Sequence, residues 1–261
     1  SMHRLCTIIS IVALYLTTGS AHAETPLPEW ESIANESSIE VFQRKVPGSS
    51  FVSFKGVGVV DASIYDVYSV IFDIRNKTKL LSNCGDYQLL KFKSMGNLVV
   101  YTRTQAPFVL ISDRDTVLET KVEFQPNSKT IYARFKKGDD TLMPPPDDAV
   151  RTKELQGGWT LEVLSPTSTK VTYEVNANPG GLLPAWLVNL GSRKLPLKTL
   201  MNLRSQVTHL DAHQRARLIV KYHYDFEGFL PNDHPVFEKS ADEEASAKRA
   251  FEAYQADAKY P

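Results

Sequence analysis

The sequence predicts an α+β fold, in which one curved antiparallel sheet lies on a long C-terminal amphipathic helix and leaves room for a cavity between the two layers. Three observations predict it. Strand-like runs follow one another through short turns between residues 86 and 176, which is the signature of a meander. Trp186, Leu187, Leu190, Leu197, Leu200, Met201, Leu203 and Val207 then supply a wide apolar helical face. Finally, 261 residues with 42% hydrophobic content and a formal net charge of +0 can bury a sizeable core without staples. The neutral total gives no global field for gripping polyanions, so a nucleic-acid partner is not expected.

Residues 1–23 read as a secretory signal peptide. His3 and Arg4 precede an apolar run from Leu5 to Leu16, and Ala21-His22-Ala23 is a small-residue cleavage site. Cleavage would leave Cys84 as the mature chain's one thiol, and export to a bacterial periplasm is the expected localisation. Trp30, Ile33 and Ala34 then fall at helical spacing, followed by strands over 39–43 and 51–60. Ser63-Ile64-Tyr65-Asp66 has the form of a capping box, and Ile64, Val67, Tyr68 and Ile71 share one helical face. Strands are predicted near 86–93, 97–105, 114–124, 129–137, 157–164 and 169–176, with turns at Met95-Gly96-Asn97, Pro126-Asn127-Ser128 and Pro166-Thr167-Ser168. The stretch from Lys137 to Gly158 holds Pro144-Pro145-Pro146 and reads as a long loop over one end of the sheet. In the C-terminal helix, Pro184 suits a first turn and Pro196 should kink the helix or divide it.

Four segments in order carry a resemblance. Trp30 with Ile39-Glu40-Val41-Phe42, Ser112-Asp113-Arg114-Asp115, Gly157-Gly158-Trp159-Thr160-Leu161, and Asn178-Pro179-Gly180-Gly181-Leu182-Leu183-Pro184-Ala185-Trp186-Leu187 together resemble the START domains, the steroidogenic-acute-regulatory-related lipid-transfer family. The likeness covers residues 24–210 and leaves 211–261 as a C-terminal extension, with Ser240 to Tyr260 reading as helical. It implies a helix-grip fold with one lipid in the tunnel between sheet and helix, a monomer, transient membrane contact and no cofactor. Two positions depart from the family: Lys79-Leu80-Leu81-Ser82 replaces a frequent Trp-Asp pair, and Asn178 stands where an Asp is usual.

Strand alternation turns that implication into residues. Thr116, Leu118, Thr120, Val122 and Phe124 form one parity set on their strand, and Ile131, Ala133 and Phe135 another. The expected lipid-binding residues are Tyr101, Arg103, Thr116, Leu118, Thr120, Ala133, Phe135, Trp186, Leu187, Leu190 and Met201. Arg103 shares a parity with Val99 and Tyr101, and facing inward it would be a buried cation awaiting a carboxylate or phosphate. Arg114 and Asp115 must point to opposite faces, so one of them can meet a headgroup while the other closes the sheet through an ion pair.

Catalytic motifs are scarce. No nucleophile elbow, phosphate loop, His-Glu-x-x-His or Cys-x-x-Cys occurs, so no catalytic or metal-binding residue is assigned and lipid exchange without covalent chemistry is expected. His209 and His213 lack an evident third metal ligand, and Cys84 lacks a neighbouring base. The alternative is a helix-grip enzyme such as a polyketide cyclase or aromatase. Charge is uneven near the end: from Arg193 to Lys221 seven basic residues stand against Asp211 alone, whereas the stretch from Asp225 onward holds nine acidic and four basic residues. The basic stretch is either a solvated face or a dock for anionic lipid.

Overall fold

The computed structural model describes residues 27–94, 97–106 and 111–209. The targeting segment expected over 1–23, the extension expected over 211–261 and His213 lie outside them. The chain opens with strands β1 (Glu31–Glu36), β2 (Ile39–Lys45) and β3 (Val52–Val60), followed by helices α1 (Ile64–Ile71) and α2 (Lys77–Leu80). Strands β4 (Cys84–Ser94), β5 (Asn97–Thr104), β6 (Asp113–Gln125), β7 (Thr130–Lys137), β8 (Ala149–Arg151), β9 (Glu154–Ser165) and β10 (Ser168–Asn178) come next. Helices α3 (Ala185–Ser192) and α4 (Leu195–Gln206) end the described chain.

The strands form one sheet in the order β1-β2-β3-β10-β9-β7-β6-β5-β4, antiparallel throughout this path, with β8 pairing in parallel to the start of β6. Strand β4 sits at one edge, yet α2 touches both β4 and α4, and α4 lies on β2, β3 and β10. The sheet therefore curls around the helices, and the core fills the concave side.

Most local predictions hold. Ser63 caps α1, its Oγ accepting from the Asp66 N–H at 3.3 Å and donating to the Asp66 carboxylate at 3.0 Å. The helix is buried on every side, Tyr65 and Ser69 included, because it fills the bend of the sheet and does not rest on its rim. The C-terminal helix is divided as Pro196 demands, with α3 and α4 separated at Arg193 and Lys194 and Pro196 placed in the first turn of α4.

Two predictions are corrected. Ile33 and Ala34 belong to an edge strand, β1, which Trp30 immediately precedes and whose pairing with β2 is shifted by a bulge between Ser32 and Ala34. The extra residue breaks the alternation of two and imitates a helical period. The loop from Lys137 to Gly158 does not lie over an end of the sheet as irregular chain. It contains β8 and the first residues of β9, and an ionic lattice holds it to the outer face of β6.

That lattice centres on Asp115, which is fully buried. Arg151 binds it in a fork, Nη2 at 2.7 Å and Nε at 3.1 Å, and also reaches Asp140 at 3.0 Å and the Met143 carbonyl at 2.9 Å. Lys137 joins Asp140 at 2.6 Å. Nearby, Arg103 bridges Asp113 at 2.8 Å and Asp148 at 3.0 Å. The planar guanidinium satisfies the carboxylate that strand alternation drives into the outer face.

Breaking a buried pair of this kind leaves one charge uncompensated. Asp115→Asn should lower the unfolding free energy by about 3 kcal/mol, read from the urea midpoint. An unchanged midpoint would show that the 138–151 segment is held by other contacts.

Candidate functional site

A cavity of about 270 Å³ lies between the sheet and the helices. Its walls come from β4, β5, β6, β7, β9 and β10 on one side and from α2, α3 and α4 on the other. Strand register sorts its lining into two ends. Cys84 pairs across the sheet with Thr104, and Thr104 with Arg114; one step deeper, Tyr87 pairs with Thr102, and Thr102 with Thr116. These rows, with Lys77 from α2 near Cys84 and Tyr87, make a polar end. Beyond them Leu118, Ala133, Phe135, Trp159 and Tyr173 make an apolar body, in which the Trp159 and Tyr173 rings lie 4.3 Å apart.

Two cations mark the polar end. Lys77 is 7% exposed and its ammonium donates to the Ile71 carbonyl at the end of α1, a favourable place for positive charge. The rings of Tyr87 and Phe72 lie 5.2 and 5.7 Å from its Nζ. Burial pulls the ammonium down to about 8, with Asp73 opposing that drop. Arg114 donates to the backbone carbonyls of Pro179 at 3.4 Å, Gly180 at 3.3 Å and Ser112, and burial lowers it somewhat against the pull of Asp113. Gly180 and Gly181 hold φ of 68° and 71°, the left-handed turn that presents a carbonyl to this guanidinium. Cys84 donates to the Asp86 carbonyl at 3.3 Å, and burial pushes its thiol up despite Thr102 and Lys77. It is therefore a protonated wall group and a poor nucleophile.

Six of the eleven expected lipid-binding residues line the cavity: Thr116, Leu118, Thr120, Ala133, Phe135 and Leu187. Five do not. Tyr101 and Arg103 lie on the opposite face of β5 from the lining residues Leu98, Thr102 and Thr104. Tyr101 is nevertheless buried, because Arg151, Asp115 and the 138–151 segment cover that outer face. An apolar residue on a covered outer face has the same alternation as one on the inner face, and Arg103 found its carboxylates outside. Trp186, Leu190 and Met201 are 67%, 61% and 42% exposed. Residues 186 and 190 sit one turn apart on the side of α3 turned away from the lining residues Val188 and Gly191, so a helix apolar all round presents only part of its surface to the cavity.

The sequence reading missed Lys77, Tyr87, Thr102, Trp159 and Tyr173 as wall residues. A signal existed for Lys77, which stands three residues after Ile74 and three before Leu80, on an otherwise apolar face. Arg114, rather than Asp115, is the member of its pair that meets the cavity.

The low Lys77 value has a signed consequence. A base whose folded value lies below its unfolded one weakens the fold fully at pH below the folded value, and the penalty fades as pH rises through it towards the unfolded value. Unfolding free energy should therefore rise by about 2 kcal/mol between pH 8 and pH 10 through this group. Lys77→Met should raise stability at pH 7 and flatten that rise. Identical pH profiles for parent and variant would show Lys77 is not desolvated.

Comparisons with known proteins point one way. No protein-family model matches the sequence. An uncharacterized Pseudomonas aeruginosa protein is 29% identical over 193 residues, 74% of this chain and 92% of that protein. The crystal structure of a STAR-related lipid transfer protein from Xanthomonas axonopodis superposes with a TM-score of 0.63 at 29% identity, covering 69% of this chain and 99% of that one. The rat phosphatidylcholine transfer protein is 21% identical over 170 residues, 63% of this chain and 77% of its own. With the curled antiparallel sheet, the C-terminal helix across its concave side and the cavity between them, these likenesses give the chain the helix-grip fold of the START, or StAR-related lipid-transfer, domains, to which it is also similar in sequence.

Proposed function

We propose that this protein shields one amphiphilic lipid in its cavity and carries it between membranes of the periplasm by exchange, without catalysis. The observation that carries the reading is the polarity of the cavity, an apolar body ending in Lys77 and Arg114 with a row of hydroxyls. Such a site suits an acyl or polycyclic body whose headgroup offers oxygen acceptors to two cations. Among the described lining residues there is no carboxylate and no imidazole. The STAR-related lipid transfer protein of Xanthomonas and the rat phosphatidylcholine transfer protein lend support by likeness. The periplasmic location rests on the leader pattern of residues 1–23.

Membrane contact is assigned to the outer side of α3 and the start of α4. Leu182, Trp186 and Leu190 are exposed there, while their neighbours Leu183 and Leu187 line the cavity. Arg193, Lys194 and Lys198 are exposed alongside. Arg204, which the sequence grouped with them, is structural: it donates to the carbonyls of Val59, Ser37 and Ser38 at 2.9, 2.5 and 3.3 Å and clamps the β1–β2 turn.

Two experiments test the reading. Ala133→Trp adds bulk to a cavity wall and should cut lipid uptake at least tenfold, about 1.4 kcal/mol, in a variant that remains folded. Equal uptake by that variant would remove Ala133 from the walls of the binding site. Replacing Arg193, Lys194 and Lys198 together by Gln should slow transfer to anionic vesicles at low salt, since each basic group near such a surface contributes about 1 kcal/mol. Transfer to neutral vesicles should change little. A parent-like rate to anionic vesicles would leave these side chains as an ordinary solvated face.

A further inference from the structure

We propose that Lys77 is a covalent anchor for long-chain aldehydes, its Nζ condensing with the carbonyl of a chain lying in the cavity to form a reversible imine. The proposal rests on the cavity holding a lipid chain and adds a second mode of retention for one chemical class of cargo.

The geometry is that of an amine placed for addition. Lys77 projects from α2 into the polar end of the cavity and is almost wholly removed from solvent. Its ammonium donates to the carbonyl of Ile71 and lies near the Phe72 and Tyr87 rings. Burial against two ring faces leaves the ammonium poorly solvated, which favours the neutral amine. At a value of about 8, roughly a tenth of the Lys77 side chains carry a free lone pair at pH 7, against about one in 2,500 for an ordinary lysine. Desolvation in an apolar pocket is the means by which lysines become Schiff-base nucleophiles.

The chemistry balances without a cofactor. The neutral amine adds to the aldehyde carbon, the C–N bond forms, and both amine hydrogens leave with the carbonyl oxygen as one water. The imine nitrogen then takes a proton from solvent. Asp73, whose negative charge already favours the cationic form of Lys77, would favour the iminium likewise. The Phe72 and Tyr87 faces suit a delocalised cation. Thr102 and Thr116 stand in the adjacent row, where hydroxyls can hydrogen-bond the departing oxygen. The apolar body beyond takes the alkyl chain, and water released into it has few partners, which disfavours hydrolysis while the chain remains in place.

Decanal and decanol serve as probes on the purified full chain. Decanol retention is first measured by native mass spectrometry. The protein is then incubated with decanal and cyanoborohydride, which reduces an imine to a stable secondary amine, and the adduct is located by peptide mapping. Lys77 should be modified at least tenfold more than any other lysine, and excess decanol should suppress that adduct alone. Lys77→Arg, which keeps the charge but cannot condense, should lose the adduct at that position without gaining one elsewhere in the cavity; Lys77→Met serves if the arginine variant does not fold. Retained decanol with adducts scattered over exposed lysines, or with Lys77 labelling that decanol does not suppress, would overturn the anchor and leave the lipid-carrier reading standing. If the parent retains neither probe, the carrier reading falls and the anchor with it.

Discussion

Helix α4 crosses β3 over two glycines. A Cβ on Gly56 would sit 2.9 Å from Pro196 Cβ and 3.1 Å from Leu200 Cδ1, and one on Gly58 would sit 3.3 Å from Arg204 Nη2. These contacts are shorter than ordinary side-chain packing, so glycine lets the helix rest almost on the backbone of the strand. A straight rod set so low on one side of a curled sheet cannot also fill the other side. Leu197, Leu200 and Leu203 bury themselves against the near strands, while the space facing β5, β6 and β7 is left to whatever enters it. The division at Arg193 and Lys194 completes the arrangement: α3 leaves the line of α4 and forms a wall of the cavity with Leu187 and Val188.

The second organising fact is the separation of charge by strand face. Arg114 and Asp115 are neighbours on β6, and alternation sends the first to the cavity rim and the second to the outer face. Asp115 meets Arg151 in a fork and thereby ties the 138–151 segment to the sheet. Among the described residues Arg114 donates to the carbonyls of Pro179, Gly180 and Ser112, and this joins the start of β6 to the lead-in of α3. One dipeptide thus fixes both the covering of the outer face and the approach to the helix that carries the exposed Trp186 and Leu190. Movement of the 178–181 turn away from β6 would have to break the Arg114 contacts, and Arg114 also lines the cavity.

Much of this was legible in the sequence because it rests on local rules. The meander, the Ser63 cap and the break at Pro196 depend on period, capping and proline's missing N–H, which neighbouring residues set. The four START-like segments fixed the order of these parts, and they include the residues that meet at the α3 lead-in. Along β6 and β7 the alternation was read correctly, since Thr116, Leu118, Thr120, Ala133 and Phe135 do face inward.

The remainder is decided by what covers each surface, which is a property of the folded chain. Tyr101 and Val117 obey the same alternation rule as any strand residue, and they are buried because a distant segment lies on their outer face. Trp186 and Leu190 are as apolar as Leu187, but the line of α3 turns only one side of it to the cavity. Lys77 was unremarked because a lysine is ordinarily solvated, and only the meeting of α2 with β4 and the end of α1 takes its ammonium out of water. Sequence determined the elements, their order and their faces; tertiary structure decided which faces are covered, because burial depends on chain that arrives from elsewhere.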